Sequence, residues 1–230
     1  PPPPPPPPPF FFHPAAGIPD PLWSRGLGDV YKRQGYEPGK NIFLALDVAS
    51  SELYNQGKYS YDKELLSSSE LIGVYKDLTS KFPIISIEDP LDEDDWESWK
   101  SITKSLGNSL QLVGDDLFVS NKSKLQMGID TNAANSILVK INQIGSISET
   151  LDTINMAKNN NFSYIISHRS GETEDSSIAD IAVGTKSGQI KTGSCSRSDR
   201  TAKYNQLLRI EDQLKGKCEF AGLSTFKISS

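Results

Sequence analysis

Asp47, Glu88, Asp115, Lys140, the pair His168-Arg169 and Lys191 each close a short hydrophobic run. The runs cover residues 42–46, 84–87, 111–114, 136–139, 164–167 and 187–190. A charge buried alone at the end of a strand is costly. Six in series point instead to one shared polar site at the carboxyl ends of parallel strands. Asp47, Glu88 and Asp115 offer the all-oxygen ligand set that Mg²⁺ prefers, with room left for water and substrate oxygens. Desolvation and neighbouring cations favour the neutral amine of a lysine, the form that can act as a base, so Lys140 and Lys191 are candidates for proton or charge work. Successive strand residues face opposite ways, so only one of Asp115 and Asp116 is expected at the site, and Asp115 is the choice. The run Ser167-His168-Arg169-Ser170-Gly171-Glu172-Thr173 is dense in groups that bind phosphate or carboxylate, with a guanidinium fork, hydroxyls and loop amides.

Positioning these residues takes alternating strands and helices. Strands are expected at about residues 42–48, 84–88, 110–115, 136–140, 163–167 and 189–192. Between the first two, Leu71, Val74, Tyr75 and Leu78 share one helical face, and Pro83 ends that helix. Asp92 to Asp95 opens a helix carrying Trp96, Trp99 and Ile102, since acids at a helix start suit the macrodipole. A helix is expected at 121–127. Ser146 and Glu149 have the capping-box spacing and open a helix with Ile147, Leu151 and Ile154 on one face. Two more helices are expected near 177–186 and 200–214. Such alternation argues for an α/β fold with parallel strands and helices outside. No glycine-rich dinucleotide fingerprint follows a strand, so the reading is a TIM-type (β/α) barrel, incomplete, with about six βα units and its first strands missing.

The rest of the chain narrows the function classes. It has 230 residues and a net charge of −5, with no basic block, so nucleic acid is a poor partner. No apolar run approaches the roughly 20 residues of a membrane span. Cys195 and Cys218 lack a CxxC spacing and are too few for a disulfide framework, which suits a reducing cytoplasm. Residues 1–34 stand apart: nine prolines, Phe10-Phe11-Phe12, then a Gly/Pro/Arg mixture whose end, Ser24 to Gln34, looks like a translated cloning adaptor. They are read as a non-native or disordered leader and the remainder, 35–230, as the domain.

Several strings together resemble one family. Leu46-Asp47-Val48-Ala49-Ser50-Ser51-Glu52, Ser86-Ile87-Glu88-Asp89-Pro90, Val113-Gly114-Asp115-Asp116-Leu117, Val139-Lys140-Ile141-Asn142-Gln143-Ile144-Gly145, the Ser167 to Thr173 run and Gln189-Ile190-Lys191-Thr192-Gly193 are similar to the enolases. The resemblance runs from about residue 35 to 228 and implies phosphopyruvate hydratase activity, the Mg²⁺-dependent, reversible dehydration of 2-phosphoglycerate to phosphoenolpyruvate in glycolysis. It implies that Asp47, Glu88 and Asp115 bind the tightly held Mg²⁺ and that Lys140 removes the α-proton. Lys191 would hold the substrate carboxylate. Ser167, His168, Arg169 and Ser170 would bind the rest of the substrate, with Arg169 on the phosphate and Ser170 in reach of a second Mg²⁺. Glu88 and Asp115 would also line the pocket.

The resemblance further implies a cytoplasmic homo-oligomer, a dimer or higher. It places an N-terminal domain and the general acid ahead of the region seen here. The chain is therefore expected to be a C-terminal fragment with little activity alone. Cys195 stands where the family would lead one to expect a small residue or proline. Two other readings stand beside it. One is a superfamily enzyme acting on a carboxylate without phosphate, against which the Ser167 to Glu172 run argues. The other is a surface-binding protein of the plasminogen-binding type.

Overall fold

The computed structural model describes residues 35–228. The leader assigned to 1–34 lies outside the described residues. The chain divides into two units, Pro1–Ile42 and Phe43–Ser230. In the first, the described residues form a turn, with a bridge between Pro38 and Ile42 and an exposed Lys40–Glu37 ion pair at 2.9 Å.

The second unit is built on a six-stranded, wholly parallel sheet. Its strands are β1 (Leu44–Asp47), β5 (Ile84–Glu88), β6 (Gln111–Gly114), β7 (Ser136–Val139), β8 (Ser163–Ser167) and β9 (Ile190–Lys191), in that spatial order. Seven helices occur among the described residues: α1 (Ser68–Lys81), α2 (Trp96–Leu106), α3 (Lys122–Thr131), α4 (Ile141–Ile144), α5 (Ile147–Asn159), α6 (Ser177–Gly184) and α7 (Ser198–Leu214). This is an incomplete TIM-type barrel, and its six strands fall where the apolar runs place them. A small antiparallel sheet absent from the sequence reading lies between β1 and α1: β2 (Tyr54–Asn55), β3 (Lys58–Tyr61) and β4 (Glu64–Leu66).

Alternation along each strand sorts residues into two faces. Ile87, Leu112, Ile137, Val139, Tyr164 and Ile166 join the main core with Leu71, Tyr75, Trp99, Ile102, Leu125, Ile154 and Ile178 from the helices. The other face is layered. Ser86 donates to Gln111 Oε1 at 3.0 Å, and Gln111 Nε2 donates to Ser163 Oγ at 2.8 Å. Two residues further along, Val113, Leu138 and Ile165 form a separate buried cluster. Two further again stand Asp115, Lys140 and Ser167. Layers of this kind fill a barrel interior.

The curvature can be gauged from one side chain. Lys191 lies on β9 and Asp47 on β1, at opposite edges of the sheet. Five inter-strand steps of about 4.8 Å would separate them by roughly 24 Å if the sheet were flat. Lys191 Nζ nevertheless lies 2.7 Å from Asp47 Oδ2, so the sheet curls until its outer strands face each other.

Helix ends follow the expected chemistry with two corrections. Asp95 and Asn121 cap α2 and α3 by accepting backbone amides. The full capping box belongs to Ser67 and Glu70 at α1. At α5, Ser146 accepts the Glu149 amide, but the Glu149 carboxylate takes the Ser146 hydroxyl at 2.5 Å, so the box expected there is only half formed. The buried face of α5 is also different: Thr150, Thr153, Ile154 and Ala157 are buried, while Ile147 and Leu151 are exposed. The threonine hydroxyls bond back to helix carbonyls (Ser146 O and Glu149 O), which lets polar residues occupy the core side.

Phe118 is fully buried and packs against Trp96 and Phe162, each with ring centroids 6.3 Å away. A Cβ added at Gly128, within α3, would lie 2.5 Å from its ring. Gly128→Ala is therefore expected to destabilise the fold by about 1–3 kcal/mol through overpacking, although alanine is the better helix former by about 1 kcal/mol. Denaturant unfolding would check the sign, and a stabilised variant would show that the Phe118 pocket is loose.

Candidate functional site

The ends of β1, β5, β6, β7 and β9 each bring one candidate side chain to neighbouring positions. Asp47 and Glu88 are register partners on β1 and β5. Lys191 donates to Asp47 Oδ2 and to Glu88 Oε1, both at 2.7 Å. Lys140, one residue beyond β7, donates to Asp115 Oδ2, one residue beyond β6. The predicted acids and lysines thus meet as two ion-paired groups.

Burial sets the electrostatics. Glu88 is 7% exposed at its side chain, and desolvation pushes its carboxyl up to about 7. Lys191 pulls in the opposite direction, while the charges of Asp47 and Asp115 add to the rise. Desolvation alone would lower Lys191, as the sequence reading expects of a lysine in a barrel mouth. The carboxylates of Glu88 and Asp47 outweigh it, and the net shift is upward. Lys191 is thereby held as an ammonium, suited to stabilising negative charge rather than to removing protons. Asp115 Oδ1 is buried with no hydrogen-bond partner.

Asp89 escapes the sequence reading. Strand alternation turns it away from Glu88, but its backbone leaves the strand in the left-handed region, at φ 41. Its two carboxylate oxygens accept the amides of Asp115 at 3.0 Å and Asp116 at 2.9 Å, tying the end of β5 to the end of β6. Burial pushes its carboxyl up to about 7, against the two amides. Asp89, Asp115 and Asp116 bring carboxylate oxygens within 4.8 Å of one another, a grouping that could hold a metal ion. The sequence-predicted trio shares only Asp115 with it. Asp116 also belongs, because β6 ends at Gly114 and pleat alternation no longer separates neighbours beyond it. The signal in the sequence is the run Glu88-Asp89-Pro90, where the proline forces the strand to stop.

The phosphate-type run occupies the loop between β8 and α6. Ser167 is buried and its hydroxyl donates to the His168 carbonyl at 2.9 Å. Arg169 and Ser170 are exposed, and His168 is half-buried. Desolvation and the Arg200 guanidinium hold the His168 imidazole below its usual value; Glu172 opposes them, and Lys203 and Lys191 lower it further. Its Nδ1 is buried without a partner.

Ser120 also goes unnoticed in the sequence. It is fully buried, accepts the Lys140 backbone amide at 2.9 Å and donates to Gln143 Oε1 at 2.5 Å. Val119 and Ser120 both have positive φ, 49 and 53. Such strain persists only where the surroundings fix it. A cavity of about 250 Å³, lined in part by Val119, Gln143, Glu149 and Asp152, shares no lining residue with the strand-end acids and lysines.

A family model described as enolase, C-terminal TIM barrel domain, matches residues 26–229. The chain belongs to that family. Membership in the enolase family implies an enzyme with a small-molecule substrate. No helix among the described residues is long and apolar enough to cross a membrane. Cys195 and Cys218 are both exposed and free.

Proposed function

We propose that this enolase-family domain carries the base and the metal site of a phosphopyruvate hydratase, which interconverts 2-phosphoglycerate and phosphoenolpyruvate in cytoplasmic glycolysis. The observation that carries the reading is the contact of Lys191 with both Asp47 and Glu88 across the curled sheet, beside the Lys140–Asp115 pair. Two cations and three carboxylates in neighbouring ion pairs at the strand ends support the reading.

The chemistry of Asp47, Glu88 and Asp115 suits a hard divalent cation, although the carboxylates that stand within 4.8 Å of one another are those of Asp89, Asp115 and Asp116. The donors are all carboxylate oxygens, Asp115 Oδ1 has no partner, and the like charges of Asp47 and Asp115 help raise Glu88. Asp47, Glu88 and Asp115 would hold Mg²⁺. When bound, the ion supplies Lewis-acid neutralisation of the negative charge that grows on the substrate carboxylate. Lys140 Nζ takes the α-proton, and the Ser120 bond to its backbone amide fixes where the side chain starts. The Lys191 ammonium faces the same developing charge. Arg169 offers a two-pronged fork to the phosphate, with Ser170 and His168 beside it. The proton needed by the departing hydroxide comes from an acid outside these residues. For that reason, and because the described sheet does not close on itself, the domain alone is expected to turn over slowly. The complete site would form in a homo-oligomeric assembly that includes an enolase N-terminal domain.

The test is phosphoenolpyruvate formation, followed by the ultraviolet absorbance of the enol product, with and without an enolase N-terminal domain added, on 2-phosphoglycerate and on unphosphorylated 2-hydroxy acids. Turnover of 2-phosphoglycerate alone, requiring Mg²⁺, is the expected result. Turnover of the 2-hydroxy acids instead would replace this reading with another reaction of the superfamily.

A further inference from the structure

Lys203 is fully buried in α7, yet its ammonium faces no carboxylate within ion-pair distance among the described residues. An ammonium is among the costliest groups to bury, and a helix that needed only packing there would be served by methionine or leucine. Its Nζ instead donates to two backbone carbonyls, Asp199 O one turn earlier in α7 and Thr173 O in the loop between β8 and α6.

That loop has few other anchors. Among the described residues its only other long-range hydrogen bond runs from the His168 amide to Lys191 O, at 3.0 Å. Within it, the Glu172 amide closes a turn on Arg169 O at 3.0 Å, and apart from the Lys203 contact Thr173 and Asp175 make only local bonds. The segment from His168 to Thr173 is therefore held at one end by β9 and at the other by Lys203. It contains every residue assigned above to the phosphate except the buried Ser167.

We infer that Lys203 is a positioning residue: its buried ammonium clamps the Thr173 carbonyl to α7 and holds His168, Arg169 and Ser170 in the arrangement that receives a phosphate-bearing substrate. The inference rests on the proposed function for the identity of the ligand, but not for the clamp itself. A buried cation suits this task because its hydrogen bonds to carbonyls are charge-assisted and stronger than those of a neutral donor. Its charge also reaches His168, adding to the positive field that an anion would meet.

Lys203→Met keeps the length of the stem and removes all donors. Lys203→Gln keeps a neutral amide NH₂ as donor, without the charge. Hydrogen–deuterium exchange of the full chain should show amides 168–176 exchanging about tenfold faster in Lys203→Met, with a smaller change in Lys203→Gln, while the strands β5 to β8 keep their protection. Binding of inorganic phosphate and of 2-phosphoglycerate, titrated by calorimetry well below the unfolding midpoint of each variant, should weaken by about tenfold in Lys203→Met. A merely structural lysine would lower the midpoint without changing the affinity of the folded chain. Unchanged loop exchange in a folded variant would overturn the clamp, and so would global unfolding of both variants, which would make Lys203 a residue of the core. If the parent chain binds neither ligand while the loop still loosens, the clamp stands and the phosphate reading of the loop fails.

Discussion

Replacing Lys140 with alanine should abolish exchange and removal of the α-proton of 2-phosphoglycerate, lowering turnover by at least about 10²–10⁴-fold, the usual contribution of one acid–base group. The side chain follows three buried apolar residues, Ile137, Leu138 and Val139, and is itself only 17% exposed. Its approach to the reacting carbon is therefore set by β7 and by Ser120 rather than by a mobile loop. The substitution also strips Asp115 of its partner, leaving a buried carboxylate with no opposite charge beside it, so some stability will be lost as well. The double variant Lys140→Ala/Asp115→Asn separates the effects, because neutralising Asp115 should restore much of the stability and none of the activity. The decisive readout is isotope exchange at the α-carbon, which reports the base directly, in the domain supplied with an enolase N-terminal half. Exchange at the parent rate in Lys140→Ala would remove Lys140 from the reaction and leave Lys191 to be tested as the base.

The strands of the barrel were readable because each combines an apolar run with a charge at its end, and the run is buried in β5 to β8, though not in the edge strands β1 and β9. Residues 136–139 are buried without exception, and Lys140 turns the chain into α4. What stayed hidden has particular causes. The sheet of β2, β3 and β4 is joined by turns at Gln56-Gly57 and Asp62-Lys63, all four residues with positive φ. Only the first contains a glycine, so the Asn-Gly or Asp-Gly signature of a tight hairpin is absent. Its anchor, Tyr59, is fully buried and accepts the Asp92 amide at 2.9 Å, a contact across 33 residues that no local pattern reveals. The helix α5 misled for a different reason. Its apolar residues Ile147 and Leu151 face outward, while threonines satisfied by their own helix take the inner side. At the site, residue types and strand ends were sufficient to nominate Asp47, Glu88, Asp115, Lys140 and Lys191. The role of Asp89 depends on one left-handed backbone angle beyond the end of β5, and Ser120 depends on two consecutive ones.

Those acids make a strong prediction about pH. In the metal-free chain, Glu88 and Asp89 both titrate at about 7 when folded, raised from ordinary values of 4.5 and 3.8. Between those ordinary values and about 7, the folded chain binds protons that the unfolded chain has already released. Stability must therefore fall as pH rises through that window and level off above it. The combined change should be a few kcal/mol, with burial as the first cause in both groups. Lys191 does not obscure it, since a raised lysine loses its stabilising contribution only in the alkaline range. Glu88→Gln should flatten part of the slope, because the amide mimics the protonated acid at every pH. Mg²⁺ should act in the opposite sense. It binds ionised carboxylates, so its apparent affinity should strengthen from pH 5.5 to pH 8. At a concentration about 100 times its dissociation constant it should contribute about 2.7 kcal/mol of stability. Urea unfolding in chelator and in Mg²⁺ across this range measures both effects. A metal-free stability that rises from pH 5 to 7 would show that Glu88 and Asp89 are ionised in the folded chain. A Mg²⁺ effect independent of pH would place the ion away from the two acids.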